Sequence, residues 1–195
     1  AQSSDHLYDK EEDAHEGLKR VRLGQKYGYL DAQGNEITNI EYTSADLFYD
    51  GLAKVSKGPH QYGFIDTRGR VVIDLKYDDF ITPIIDGKIP AKLDGQWGLI
   101  TMSGKTIIPH RYAYIYAPGD GTVIAAIKKG QFTSYGLLNE KEKELLPFKY
   151  DDLAPFYNGI ASAAVAGKYG FIDRKGDFVI KPQYERVGIF REGLA

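Results

Sequence analysis

The chain has 195 residues, an ordinary hydrophobic content, no cysteine and a net charge of −2. Lack of cysteine excludes a disulfide framework, a thiolate metal site and a cysteine nucleophile. The near-neutral balance disfavours a nucleic-acid partner, and no apolar run approaches the ~18 residues of a membrane span.

Residues 1–16 carry Asp5, Asp9, Glu11, Glu12, Asp13 and Glu16 against Lys10, a local charge of −5 that leaves +3 for the rest. Such an acidic, polar stretch is expected to form a flexible arm. The opening Ala1-Gln2-Ser3-Ser4 suits a mature chain after a small-residue cleavage site, so an extracytoplasmic location (periplasm or cell surface) is expected, with the cytoplasm as the alternative.

From residue 17 the chain repeats itself. An aromatic-glycine pair recurs at Tyr27-Gly28, Tyr62-Gly63, Trp97-Gly98, Tyr135-Gly136 and Tyr169-Gly170, in steps of 35, 35, 38 and 34 residues. A second tyrosine follows each pair at an offset of 15: Tyr42, Tyr77, Tyr112, Tyr150 and Tyr184. A period of this size means one supersecondary unit used many times.

The second unit shows the pattern. Leu52-Ala53-Lys54-Val55 is a short alternating run, and Lys57-Gly58-Pro59-His60 has turn chemistry. Tyr62–Asp66 and Arg70–Ile73 read as two further strands joined by Thr67-Arg68-Gly69. Three short strands per unit predict an all-β tandem array of five β-meander repeats, open and twisted, with propeller-like closure as the alternative. Both aromatic registers are expected in the repeat core. Glycine inside a strand is expected where another backbone or ring comes close.

Four residues after each aromatic stands Asp31, Asp66, Thr101, Asn139 or Asp173, a side chain able to hydrogen-bond the following turn. Seven after stands Gly34, Gly69, Gly104 or Gly176, with Glu142 as the exception, which predicts a different turn in the fourth unit. That unit is also lengthened at Lys128–Ser134, where a surface loop is expected.

The segment Gly-Lys-Tyr-Gly-Phe-Ile-Asp-x-x-Gly-x-x-Val-Ile-x-Pro-x-Tyr over residues 167–184, followed by Phe190 and Gly193-Leu194-Ala195, resembles the WG (KWG) repeat. Trp97-Gly98 alone has the tryptophan; the other units carry tyrosine. The resemblance covers residues 17–195 and implies a β-rich, mainly bacterial repeat protein with a binding role. It brings no catalytic residues and no cofactor.

Other motifs have plainer readings. Ser103-Gly104-Lys105-Thr106 resembles a phosphate-binding loop, but its upstream glycine is misplaced and no helix is signalled after it. Asp78-Asp79 and Asp151-Asp152 recur at one phase, as a structural turn does. His6, His15, His60 and His110 show no metal-ligand spacing.

Function is therefore expected to be non-enzymatic: a protein-binding or scaffold module of a bacterial cell-envelope assembly. The alternative is a carbohydrate- or cell-wall-binding module using exposed tyrosines. Tyr114 and Tyr116, on one side of an extended Arg111–Tyr116 run, are candidate contact residues. Phe190 and Leu194 are candidates too, because residues 190–195 match Phe48–Ala53, the opening of a repeat. Partners expected are a protein or further repeats, with a glycan possible.

Overall fold

The computed structural model describes residues 8–188, and among these there is no helix. The strands form five antiparallel sheets, none closed on itself. The first holds β1 (Lys10–Glu11), β2 (Lys19–Leu23) and β3 (Lys26–Leu30). The second holds β4 (Ser44–Ala45), β5 (Leu52–Ser56), β6 (Tyr62–Asp66) and β7 (Val71–Tyr77). The third holds β8 (Asp79–Phe80), β9 (Lys88–Leu93), β10 (Gln96–Thr101) and β11 (Thr106–Tyr112). The fourth holds β12 (Tyr114–Tyr116), β13 (Thr122–Lys129), β14 (Phe132–Asn139) and β15 (Glu144–Tyr150). The fifth holds β16 (Asp152–Leu153), β17 (Ile160–Val165), β18 (Lys168–Asp173) and β19 (Phe178–Tyr184). The described residues form two compact units: those up to Phe80 with Met102–Gly104, and Ile81–Thr101 with those from Lys105 onward.

The tandem β-meander expected from the sequence is thus present, with one correction. Sheets two to five have four strands, not three. The extra strand is the short run just after each repeat tyrosine. At two or three residues it is too brief to show a period of two, and its shortness leaves little open sheet edge. Residues 8–16 also differ from the flexible arm expected. Lys10–Glu11 pairs with β2, and the backbone N–H groups of Asp9 and Glu12 donate to Arg22 and Arg20, each at 2.9 Å. The acidic run finds partners on a basic strand: Glu11 lies 3.6 Å from Lys19, and Glu12 is ion-paired with Arg20. Tyr8-Asp9 is the signal the repeat reading missed. Tyr8 precedes Tyr42 by one repeat step, and Tyr-Asp recurs at Tyr77-Asp78 and Tyr150-Asp151.

The fixed offset of 15 has a direct cause. Each aromatic and its tyrosine face one another across a hairpin: Tyr27 with Tyr42, Tyr62 with Tyr77, Trp97 with Tyr112, Tyr135 with Tyr150, and Tyr169 with Tyr184. In sheets two to five the register then slips twice within three residues, so the outer strand bulges. The bulge drives a carbonyl against the glycine of the aromatic-glycine pair. A Cβ on Gly63 or Gly170 would land on the Ile73 or Ile180 carbonyl oxygen; on Gly98 or Gly136 it would lie 2.7 or 2.9 Å from that of Ile108 or Leu146. Close backbone approach is therefore the reason for glycine inside these strands.

The turn at the far end of each hairpin is held as the sequence indicates. The Asp66 carboxylate accepts from the N–H groups of Arg68 and Arg70 at 2.9 Å, and Asp31, Asn139 and Asp173 do the same in their units. Thr101 accepts from the Lys105 N–H at 3.1 Å. The fourth unit does not make a different turn. Glu142 takes the glycine position with φ +62°, and its N–H donates to the Asn139 carbonyl as Gly176 donates to Asp173. Ser103–Thr106 is this same hairpin turn in the third unit, leading into a strand.

The cores use the second aromatic register. Tyr42, Tyr77, Tyr112 and Tyr150 are at most 6% exposed. In the first compact unit Tyr29, Tyr42 and Phe48 pack with Ala53, Val55 and Ile65. In the second compact unit, Leu146 and Tyr150 pack with Leu153, Ala161, Ala163 and Ile172. The first register is only half-buried, a difference from the full core expected, because it sits where the hairpin meets solvent. There Arg20, Lys54 and Lys92 lie over the rings of Tyr27, Tyr62 and Trp97 at 5.6–6.0 Å. Tyr184 departs too, at 44% exposed, and so does Ile180 at 37%.

Two outcomes are expected. Gly63→Ala should destabilise by about 1–3 kcal/mol, the range for forced overpacking, and by more than Gly136→Ala. Equal effects in chemical denaturation would show that the bulge is not the constraint. The Tyr150 hydroxyl is buried without a hydrogen-bond partner among the described residues. Tyr150→Phe should therefore raise stability by about 1 kcal/mol; a drop in the denaturation midpoint would refute this.

Candidate interaction surface

Tyr114 and Tyr116 project from one side of β12 and flank the fully buried Ile115. Both are half-buried. The Tyr114 ring lies 6.1 Å from that of Tyr135, and burial pushes its hydroxyl pKa upward. Tyr116 packs against the core around Leu146 and Tyr150. The structure brings these candidates together, but as packing and not as an open platform. Phe190 and Leu194 lie outside the described residues. The aspartate pairs are structural: Asp79 and Asp152 accept from the next N–H at 2.8 and 2.9 Å, and Asp151 accepts from Gly167 at 2.9 Å. No helix among the described residues is long and apolar enough to cross a membrane.

The exposed large apolar side chains fall in two places. Val71, Leu145, Val179, Ile180 and Tyr184 lie on outermost strands. Leu23, Tyr49, Phe132 and Tyr157 lie at hairpin ends. Tyr49 and Tyr157, 60% and 49% exposed, occupy one position in two repeats. Each opens a two-residue turn with both central residues at positive φ: Asp50 and Gly51 at 50° and 77°, Asn158 and Gly159 at 48° and 84°. Those values are the type I′ geometry that asparagine or aspartate before glycine favours. Paired backbone bonds of 2.9–3.1 Å close the turns, Tyr49 to Leu52 and Tyr157 to Ile160. The Tyr49 ring lies tilted against that of His15, at 51° with centroids 4.4 Å apart, and the Glu16 carboxylate accepts from the Gly51 N–H at 3.0 Å. The signal is present in the sequence as Tyr-Asp-Gly and Tyr-Asn-Gly, a residue that tolerates positive φ followed by glycine.

Glu142, the exception in the glycine register, has a use. Its carboxylate accepts from the Tyr112 hydroxyl at 2.7 Å and from Arg111 Nε at 2.8 Å. Burial, and then this carboxylate, push the Tyr112 pKa upward. The third and fourth repeats are thus tied by a bond that the glycine of other units does not offer. Gly176 stands opposite the unpartnered Tyr150 hydroxyl, where an added Cβ would lie 3.0 Å from that oxygen.

With this geometry established, comparison with known proteins decides the family. The WG containing repeat matches residues 27–58, 62–97, 97–131, 135–169 and 169–195. The chain belongs to the WG repeat family. No curated protein sequence matches it. Among solved structures, KlHsv2 with loop 6CD replaced by a Gly-Ser linker aligns at a TM-score of 0.50 and 6% identity, over 87% of this chain and 64% of that one. BamB from Moraxella catarrhalis aligns at 0.44 and 13%, over 87% and 58%. The chain therefore spans less than two thirds of either structure, and at these identities the likeness concerns fold alone. The WG repeats here build a β-repeat scaffold with turns and outer strands turned to solvent.

The Glu142 tie yields a measurable coupling. In a double-mutant cycle, Tyr112→Phe with Glu142→Ala should show about 1.5–3 kcal/mol of interaction, as expected for one hydrogen bond to a charged group. Additive effects would mean that the bond contributes nothing between repeats.

Proposed function

We propose that this WG-repeat chain is a non-enzymatic protein-binding scaffold. One observation carries the reading. Tyr184 apart, the aromatic registers that define the repeat are occupied with packing, whereas the exposed Tyr49 and Tyr157 stand on short, hydrogen-bonded turns. Binding residues are disproportionately found on loops fixed by a rigid frame, and tyrosine gives large contact area with few rotatable bonds. Tyr49 and Tyr157 fit that description. The glycan alternative is less well supported, because it relies on open repeat tyrosines and Tyr42, Tyr77, Tyr112 and Tyr150 are interior. A bacterial cell-envelope setting belongs to the same proposal, and cell fractionation of the source organism tests it.

The test is quantitative capture from that organism with the purified chain as bait. Tyr157→Ser should leave the melting temperature unchanged, and Tyr49→Ser should lower it only slightly, through loss of the ring contact with His15. At least one of them should reduce recovery of a wild-type-bound protein about tenfold, equivalent to ~1.4 kcal/mol. Identical capture by all three baits would overturn the use of these turns as a binding surface.

A further inference from the structure

The β13–β14 hairpin breaks the repeat. In the other hairpins the strand pairing ends at the aromatic residue or one pair beyond it, as at Ser56–Tyr62, Leu23–Lys26, Leu93–Gln96 and Val165–Lys168. In the fourth unit it runs on past Ala126–Tyr135 through Ile127–Ser134, Lys128–Thr133 and Lys129–Phe132. Two pairs beyond the usual limit carry the tip outward by roughly 7 Å, at about 3.4 Å per residue. The inserted residues, expected as a loop, are therefore an ordered extension of the sheet. Lys129 secures it from the side, its ammonium donating to the Phe148 carbonyl at 2.8 Å.

At the tip stands Phe132, 68% exposed, the most exposed large apolar side chain among the described residues. A single exposed phenylalanine is unremarkable in itself. This one lies on the insertion, on a hairpin fixed before any partner arrives, beside the exposed Lys128 and Lys129. From Thr122 to Asn139 those two lysines are the only charged residues. A rigid aromatic anchor flanked by uncompensated cations matches an interface hot spot, in which a ring fills a pocket and a charged rim steers approach.

We infer that the β13–β14 hairpin is a docking finger for a protein that offers an apolar pocket rimmed by Asp or Glu. Phe132 enters the pocket and Lys128 faces the rim, while Lys129 stays tied to the Phe148 carbonyl. An anionic bilayer is the other surface attracted to lysine and phenylalanine. One ring and two cations are too few for stable membrane attachment, which takes a larger apolar face or a polybasic cluster. The inference rests on the reading of the chain as a protein-binding scaffold and names a second surface and its partner chemistry.

The experiment places a photo-crosslinking p-benzoylphenylalanine at position 132 of the full chain and irradiates it in extract of the source organism. The expected result is a discrete crosslinked protein whose mapped peptide lies beside Asp or Glu residues. Its yield should fall severalfold when salt is raised and in Lys128→Glu. Phe132→Ser, with an unchanged melting temperature, should lose at least tenfold in binding to the protein so identified. Three results overturn the finger: no discrete crosslink, a crosslink indifferent to salt and to Lys128→Glu, or co-sedimentation with phosphatidylglycerol vesicles that Phe132→Ser abolishes. Should position 132 fail while Tyr49→Ser or Tyr157→Ser still reduces capture, the scaffold reading stands and the finger alone falls.

Discussion

The structure depends on a steric exchange inside each repeat hairpin. The outer strand must bulge for its tyrosine to lie opposite the aromatic of the inner strand, and the bulge carries a backbone carbonyl to the place where a Cβ would stand. Only glycine vacates that place. The aromatic-glycine pair is thus one device. The ring covers the hairpin at its solvent end, the glycine admits the carbonyl, and the bulge turns the partner tyrosine into the core. The spacing of 15 cannot drift, because its two ends are opposite one another in the same ladder. Length varies freely in the other hairpin, where no such closure applies.

Legibility followed the size of the physical signal. The locked registers, the Asp-to-glycine turns and the meander could be read because each repeats at fixed spacing, and steric rules give each a meaning. The two-residue strands could not, since a run that short has no period. The strand at Lys10–Glu11 was further disguised by charge: read alone it is an acidic tail, and read beside Lys19 and Arg20 it is one side of a set of ion pairs. Glu142 was visible as an exception, but not its purpose, because Tyr112 and Arg111 are some thirty residues away in sequence. The exposed surface was the least legible part. Tyr114 and Tyr116 drew attention as a cluster, yet packing half-buried them, while Tyr49 and Tyr157 stand alone in sequence and meet solvent through the geometry of a turn.

The division between repeated and unrepeated features also separates structure from recognition. Residues held in register are held because every sheet needs them, and few are free to contact a partner. Those that depart from register, among them the lengthened β13–β14 hairpin, are where the fold tolerates change. Loop length carries a small entropic cost, so such a site can lengthen without loss of the frame. Here it lengthened as paired strand, which keeps the tip rigid and lowers the entropy lost on association.

The tie from Glu142 to Tyr112 and Arg111 has a consequence for how the array can change over generations. Genes built from near-identical segments gain and lose whole repeats by unequal recombination, and units that stacked interchangeably would be unaffected by any such event. These units are not interchangeable at this seam. Excision of the fourth unit would set Gly176 where Glu142 now stands, and would leave a tyrosine hydroxyl and a guanidinium facing a turn with no carboxylate. Duplication of the third would do the same at the new seam, where Gly104 would take that place. The fourth and fifth repeats already meet without such a bond, Gly176 facing the Tyr150 hydroxyl, so the exchange removes one tie and keeps the fold: Glu142 gives the third unit a preferred neighbour.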